Sequence, residues 1–232
     1  MKKQIIKRLS ILASVIAISN GVNANEIKPY IGIGYQMSNI RYGSSDLNIS
    51  GSSVRFDLEN HYEKELSNFN LFAGFKMNKN LAIEIGYFKS KEEDKKSSYT
   101  SNCCYWWDIN LNTSFDAGEE TLDATSASKL QIINIDAIYN YPINYINGFN
   151  FLALAGISKV DFDTKINFLV NDSELSSGSD DQNGYGLNLG LGLEANIYQN
   201  ISLRGLIKYT TVNGIDYFDD LVNYSLGVKY QF

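Results

Sequence analysis

The feature that most constrains this fold is a two-residue alternation of apolar and polar side chains, repeated in eight segments of about 10 to 13 residues. Successive side chains of a β-strand point to opposite faces, so each segment predicts a strand with one apolar and one polar face. In the fifth segment nearly every residue is apolar, and its faces stay unassigned. The predicted strands are Pro29–Ser38, Leu66–Lys76, Asn80–Ser90, Lys129–Tyr141, Phe149–Val160, Gly184–Ile197, Asn200–Val212 and Asp220–Phe232.

The connections between these strands differ in length. Short connections lie around Asn78, at Pro142–Gly148 and around Gln199. The connections at the other end are Asn39–Glu65, Lys91–Ala127, Asp161–Asn183 and Asn213–Asp219. Of these four, only Asn213–Asp219 is short. Short turns at one end and long loops at the other are typical of transmembrane β-barrels, and strands of this length can cross a bilayer when tilted.

Two kinds of eight-stranded barrel compete here. A soluble, lipocalin-like barrel would place its apolar faces inside. In this chain the polar faces carry glycines, asparagines and isolated charges that suit a narrow interior, while the apolar faces are unbroken, as lipid requires. Tyrosines near both strand ends, such as Tyr35 and Tyr185 at one end and Tyr139 and Tyr230 at the other, indicate two interfacial girdles. We therefore predict an all-β, eight-stranded antiparallel up-and-down transmembrane barrel.

The first 24 residues have the pattern of a cleaved secretory signal peptide. Four basic residues precede an apolar run, Leu9–Ser19, that is too short to span a bilayer. Val22 and Ala24 predict cleavage after Ala24, which leaves a single barrel domain at 25–232. Removing four bases and no acid changes the formal net charge of −6 to −10. A negative charge of this size argues against a nucleic-acid partner.

The C-terminal segment Tyr224–Phe232 alternates apolar and polar residues and ends in phenylalanine. This segment resembles the C-terminal signature of bacterial outer-membrane proteins, and the chain as a whole resembles outer-membrane β-barrel domains of the OmpA-type and opacity-type surface antigens. The resemblance implies that Tyr230 and Phe232 belong to an assembly signal read by the barrel-assembly machinery. It also implies a location in the bacterial outer membrane, in contact with its lipids and lipopolysaccharide.

The polar faces predict a set of charges inside the barrel. If Tyr198–Asn200 forms a turn, Ile197 faces Ile201 on the lipid side, and Glu194 faces Arg204 inside. The sequence therefore predicts a Glu194–Arg204 ion pair. The same alternation directs five further charged residues inward: Lys76, Glu84, Asp136, Lys208 and Lys229. They could line a narrow pore or fill a packed polar core, and the small lumen of eight strands favours the packed core.

The sequence offers no set of residues for catalysis. The one histidine, His61, lies in the first long loop without a serine at a recognisable motif spacing, which favours a solvated surface residue. The acidic pairs in the loops do not match a calcium-binding loop, and there is no zinc-type Cys/His cluster or phosphate loop. We therefore expect no enzyme activity, no cofactor and no metal site.

The second long loop contains two adjacent cysteines followed by three aromatic residues. Cys103 and Cys104 could form a strained disulfide with each other, form two intermolecular bridges, or remain free thiols. Tyr105, Trp106 and Trp107 either form a surface contact or pack on the barrel rim, because aromatic side chains contribute strongly to binding interfaces.

Two functions remain open at this point. The first is an integral outer-membrane barrel whose loops mediate surface interaction, as an adhesin or antigen, with a host surface molecule as partner, or support envelope integrity. The second is a narrow porin or channel for small solutes. By these loop boundaries the long-loop end is strongly acidic, so any adhesion is expected to need divalent cations or a basic partner.

Overall fold

The computed structural model describes residues 27–49, 52–57, 62–101, 120–143, 145, 148–170 and 173–232. Among these residues no helix is long and apolar enough to cross a membrane. Eleven strands occur in this part of the chain: β1 (Lys28–Tyr42), β2 (Ser44–Ile49), β3 (Ser52–Asp57), β4 (Glu65–Lys76), β5 (Leu81–Lys89), β6 (Glu93–Ser101), β7 (Glu120–Pro142), β8 (Phe149–Val170), β9 (Ser173–Tyr198), β10 (Ile201–Asn213) and β11 (Phe218–Gln231).

Eight of the strands close into a barrel. Antiparallel pairing runs from β1 through β4, β5, β7, β8, β9, β10 and β11, and β11 returns to β1. Each predicted segment corresponds to one strand of this ring, so the prediction of an eight-stranded antiparallel barrel is confirmed. Closure leaves no unpaired strand edge within the wall, which is the condition for crossing hydrocarbon with β-structure.

The two faces of the wall differ as the alternation predicts. The outward face carries apolar side chains that are about half exposed, such as Ile33, Leu71, Ile135, Leu189 and Leu226. The inward face carries buried polar and charged residues together with glycines. The fifth predicted strand, whose faces the sequence left open, follows the same rule. In this strand Phe151 and Ile157 point outward, and Leu152 and Ser158 point inward.

The predicted short turn between β9 and β10 sets most of the register correctly. Arg204 lies opposite Glu194, and Leu203 lies opposite Ala195. The turn itself is one residue tighter than predicted, because Ile201 pairs with Tyr198 and an irregularity follows it. The predicted Ile197–Ile201 pair is therefore wrong.

The long connections, predicted as loops, contain further strands. β7, β8 and β9 are 23, 22 and 26 residues long, and the β7–β8 ladder continues without a break to Leu122 and Val170. β6 pairs with the same end of β7, and β2 and β3 form a separate hairpin. We name the part of β6–β9 beyond the barrel rim the projecting sheet: residues 93–101, 120–129, 161–170 and 173–183.

Candidate functional site

Three buried ion pairs join inward-facing side chains of strands that are not adjacent in the barrel. Arg204 binds Glu84 through two hydrogen bonds, Nη1 to Oε2 at 2.6 Å and Nη2 to Oε1 at 3.0 Å. Lys208 Nζ lies 3.3 Å from Asp136 Oδ2, and Lys229 donates to Glu194. The three acids and three bases of these pairs are all buried and cancel in charge.

The predicted Glu194–Arg204 ion pair is wrong, although the two residues face each other across β9 and β10. Arg204 reaches across the lumen to Glu84 on β5, and Lys229 on β11 takes Glu194. A long guanidinium can span a narrow lumen, so the cross-strand neighbour is not its only reachable acid. Cross-strand register alone therefore does not determine ion pairs inside a barrel.

The structure places the remaining predicted interior charges in different settings. Lys76 is only half-buried and lies at the turn end of β4, whereas the other four take part in the buried pairs. Arg204 also lies over the Phe72 ring, 3.9 Å from its centroid, which is the distance of a cation–π contact. Tyr30 donates to Glu84 at 3.0 Å.

A layer of neutral hydrogen-bonding side chains lies on the long-loop side of the ion pairs. Asn188 donates to Asp136 at 2.8 Å and accepts from Ser158 and Thr210, each at 3.1 Å. Asn223 accepts from Ser38 at 2.6 Å. A cavity of about 20 Å³ lies where this layer meets the ion pairs, lined by Asn223 and Gln36 and by Glu84 and Arg204, and it has room for roughly one water molecule.

An apolar plug closes the lumen at the long-loop end. Its members, all buried, come from barrel strands and from two connections: Ile40, Tyr42, Tyr62, Leu66, Phe88, Leu130, Ile132, Val160, Phe162, Val212, Ile215, Phe218 and Leu221. A second apolar cluster crosses the lumen near the turn end and contains Tyr30, Phe72, Ala82, Ile138, Leu152 and Leu154. The described side chains therefore block the lumen at two levels.

Aromatic residues from the connections hold the plug in place. The rings of Tyr62 and Tyr217 meet edge to face at 5.6 Å, and Tyr217 donates to Asp180 of β9 at 3.1 Å. The connection between β10 and β11 is fixed by Asp216, whose backbone N–H donates to Gln182 at 2.7 Å. Burial is the main reason that the pKa of Tyr62 rises from 10.0 to about 12.

The sequence interpretation missed this plug. Its residues occupy inward-facing positions, of which some lie inside the predicted strands and others lie in segments that were predicted as loops. On β7, for example, the inward series runs from Asp136 through Asn134 and Ile132 to Leu130. Following that alternation past the polar layer would have shown that the interior becomes apolar before the barrel ends.

Several predicted surface residues lie outside the described residues: His61, Cys103, Cys104, Tyr105, Trp106 and Trp107. In the described part of the chain no group of three or more His, Cys, Asp or Glu side chains could hold a metal ion. At the C-terminus, the Tyr230 and Phe232 rings meet edge to face at 5.1 Å, and the Phe232 N–H donates to Pro29 at 3.0 Å. These two residues thus lie at the seam that joins the first and last strands.

Comparison with known proteins agrees with this geometry. A family model described as an outer membrane protein beta-barrel domain matches residues 9–232. The chain belongs to this family. It is an integral protein of the bacterial outer membrane, with short turns at one rim of the barrel and the projecting sheet at the other. A comparison with curated proteins gave no match.

Solved structures share the fold at low sequence identity. Neisserial surface protein A is 14% identical with a TM-score of 0.50, covering 88% of this chain and 97% of that one. OprG from Pseudomonas aeruginosa is 12% identical, also with a TM-score of 0.50, covering 88% and 95%. Ail, the attachment invasion locus protein of Yersinia pestis, is 16% identical with a TM-score of 0.49, covering 89% and 99%.

Proposed function

We propose that this protein is a non-conducting, non-enzymatic membrane anchor that presents the projecting sheet to a partner outside the cell. The observation that carries the proposal is the continuation of β7, β8 and β9 past the membrane. Val170 lies 13 residues beyond Ile157, the last large apolar residue of β8 that is exposed on the outer face of the wall. At a rise of roughly 3.3 Å per residue and a tilt of about 40°, the tip stands about 30 Å above the lipid.

The lumen supports anchoring rather than transport. Two apolar clusters block it at two levels, and a neutral set of ion pairs lies inside it. A pore would need these side chains to part, and separating Arg204 from Glu84 would leave two buried charges uncompensated. Planar-bilayer recordings of the refolded chain are expected to show no stable current steps, and reproducible steps would favour the channel function instead.

The projecting sheet offers an edge suited to strand addition. β9 pairs with β10 only from Tyr185 onward, so among the described strands its segment 173–181 pairs with β8 alone. This segment contains Glu174, Asp180 and Asp181, and it has no lysine or proline of the kind that usually protects an edge. The partner that fits is an extended segment rich in Lys or Arg, which adds as a further strand.

The experiment compares binding of short alternating Lys-Thr and Glu-Thr peptides to the chain in nanodiscs. The Lys-Thr peptide should bind and the Glu-Thr peptide should not. A Lys-Thr peptide in which every backbone amide is N-methylated keeps the charge but has no backbone N–H donor for pairing, and it should bind weakly. Equal binding of the Lys-Thr and N-methylated peptides would reject strand addition.

A shortened variant tests whether the projecting sheet is the element responsible. Residues 166–178 are replaced by Asn-Gly, so that Lys165 and Ser179, already paired, flank a two-residue turn. The control removes residues 44–57, a segment of similar length that forms the β2–β3 hairpin. Peptide binding should be lost in the first variant and kept in the control.

The proposal also includes three claims that the described contacts do not address. Residues 1–24 are removed as a signal peptide, the C-terminal strand ending in Tyr230 and Phe232 is read by the barrel-assembly machinery, and the external partner includes a host surface molecule. Mass spectrometry of the protein from outer membranes tests the first claim. A mature chain that starts at Asn25 is expected, and retention of Met1 would contradict it.

A further inference from the structure

The negative charge on the open edge of the projecting sheet is uneven along its length. The segment 173–181 of β9 has a tip, which carries Glu174, and a foot next to the barrel rim, which carries Asp180 and Asp181. The residues between them, 175–179, have no charge and are mostly serine and glycine. A strand that adds to this edge therefore meets most of the negative charge at the foot.

A third carboxylate reaches the foot from the β10–β11 connection. The Asp216 N–H donates to Gln182 Oε1 at 2.7 Å, which places Asp216 beside β9. Gln182 Nε2 donates to Asp180 Oδ2 at 2.8 Å and to Asp216 Oδ2 at 3.4 Å, so one neutral amide holds two carboxylates close together. Asp181 lies opposite a further acid, Asp163 of β8. Like charges so arranged repel, and the three foot carboxylates, Asp180, Asp181 and Asp216, therefore favour a cationic group.

The lysines on the neighbouring strands do not neutralise the foot carboxylates. Lys165 on β8 is bound to Glu92 at 3.2 Å, and Lys159 on the same strand is bound to Asp161 at 2.8 Å. Lys129 on β7 lies one strand further from the edge. Among the described residues, no ion pair joins a lysine or arginine to any of the three foot carboxylates. Their charge is thus available to a partner.

The topology favours one direction for an added strand. β10 pairs with β9 up to Asn213, opposite Tyr185, and Gly214, with a φ of +100°, then turns the chain out of that ladder. The segment 173–181 continues the same edge of β9, so an added strand extends the position of β10. β9 runs from the tip toward the membrane, and every pairing within the barrel is antiparallel. Because antiparallel ladders are more stable per residue than parallel ones, the added strand is expected to run away from the membrane.

We propose that the partner strand starts at the foot, runs antiparallel to β9 and carries its basic residues at its N-terminal end. This inference rests on the proposed strand addition, to which it adds the direction and the charge order of the partner. The first residues of the strand lie beside the foot carboxylates, and its later residues pair with the uncharged segment 175–179. A parallel strand would need the same basic residues at its C-terminal end, so charge order reports direction.

Two peptides of identical composition test this proposal on the full chain in nanodiscs. The first is Lys-Thr-Lys-Thr-Ser-Thr-Ser-Thr-Ser, and the second is the same sequence reversed; both have blocked termini, so that only the order of the residues differs. A cross-strand pair of opposite charges changes affinity by up to roughly fivefold, so the peptide with N-terminal lysines should bind about tenfold more tightly than the reversed one. Equal binding, or tighter binding of the reversed peptide, would overturn the proposed direction while strand addition stands.

A pair of double variants identifies the acids that set the preference. Asp181→Asn with Asp216→Asn should abolish the difference between the two peptides and leave weak binding of both. The matched control, Glu65→Gln with Asp94→Asn, removes two exposed acids from β4 and β6 and should keep the difference. An unchanged preference in the first variant, or an equal loss in both, would overturn the role of the foot carboxylates. Binding of neither peptide to the wild type would reject strand addition itself, and this proposal with it.

Discussion

Truncation of Arg204 should destabilise the barrel far more than truncation of an exposed lysine. Both Arg204 and Glu84 have side chains that are only 5% exposed, and two hydrogen bonds join them. Arg204→Ala leaves Glu84 charged in a confined lumen with the hydroxyl of Tyr30 as its remaining donor. Loss of one partner of a buried pair costs about 3 to 5 kcal/mol, whereas Lys79→Ala should stay within about 0.5 kcal/mol.

Urea unfolding in lipid vesicles, followed by the gel-mobility difference between the folded barrel and the unfolded chain, measures these free energies. A double-mutant cycle then identifies the partner of Arg204. The cycle with Glu84→Gln should give a coupling energy of roughly 2 kcal/mol, and the cycle with Glu194→Gln should give a much smaller one. A larger coupling to Glu194, or equal stability of Arg204→Ala and Lys79→Ala, would refute the assigned network.

Three further predictions concern the wall, the seam and the plug. Gly32→Ala should cost about 1 to 3 kcal/mol in urea unfolding, because a Cβ there would overlap the Phe72 ring. A Cβ at Gly205 would only touch Leu226 at 3.9 Å, so Gly205→Ala should be nearly neutral. Deletion of Phe232 removes a hydrogen bond and a ring contact at the seam, and it should lower the yield of heat-modifiable barrel in outer-membrane fractions. The raised pKa of Tyr62, about 12 against 10.0, stabilises the folded state below pH 10, and this contribution is lost as the pH rises through 12. Stability curves of a Tyr62→Phe variant should therefore fall less steeply between pH 10 and 12.

The alternation of side chains was sufficient to predict the barrel because lipid and lumen impose opposite requirements on the two faces of every strand. It was insufficient where water lies on the outer face. Lys129, Asp163 and Asp181 point outward from the projecting sheet, and such polar positions carry no apolar signal that separates a strand from a loop. The strands there are extended by backbone pairing, which the sequence pattern does not display.

The sequence predicts most of the charges that face the lumen, but the one ion pair that it predicts, Glu194–Arg204, is wrong. Alternation is a local property of each strand, and it is enough to place Glu84, Glu194 and Arg204 on the inward face. Which of the two acids Arg204 binds depends on the distance across the barrel, and strand tilt and the side chains of other strands determine that distance. Phe72 takes the space against Gly32 and supports the guanidinium of Arg204, and neither contact involves a sequence neighbour.

The most direct test of a barrel that presents a sheet outside the cell is cysteine labelling in a background with Cys103→Ser and Cys104→Ser. Ser177→Cys lies in the projecting sheet, and Gln199→Cys lies in the β9–β10 turn at the opposite rim; both positions are exposed. With a maleimide that cannot cross membranes, intact cells should label Ser177→Cys, and Gln199→Cys should react only after the outer membrane is permeabilised. Labelling of Gln199→Cys on intact cells with protection of Ser177→Cys would contradict the orientation and the proposed surface role.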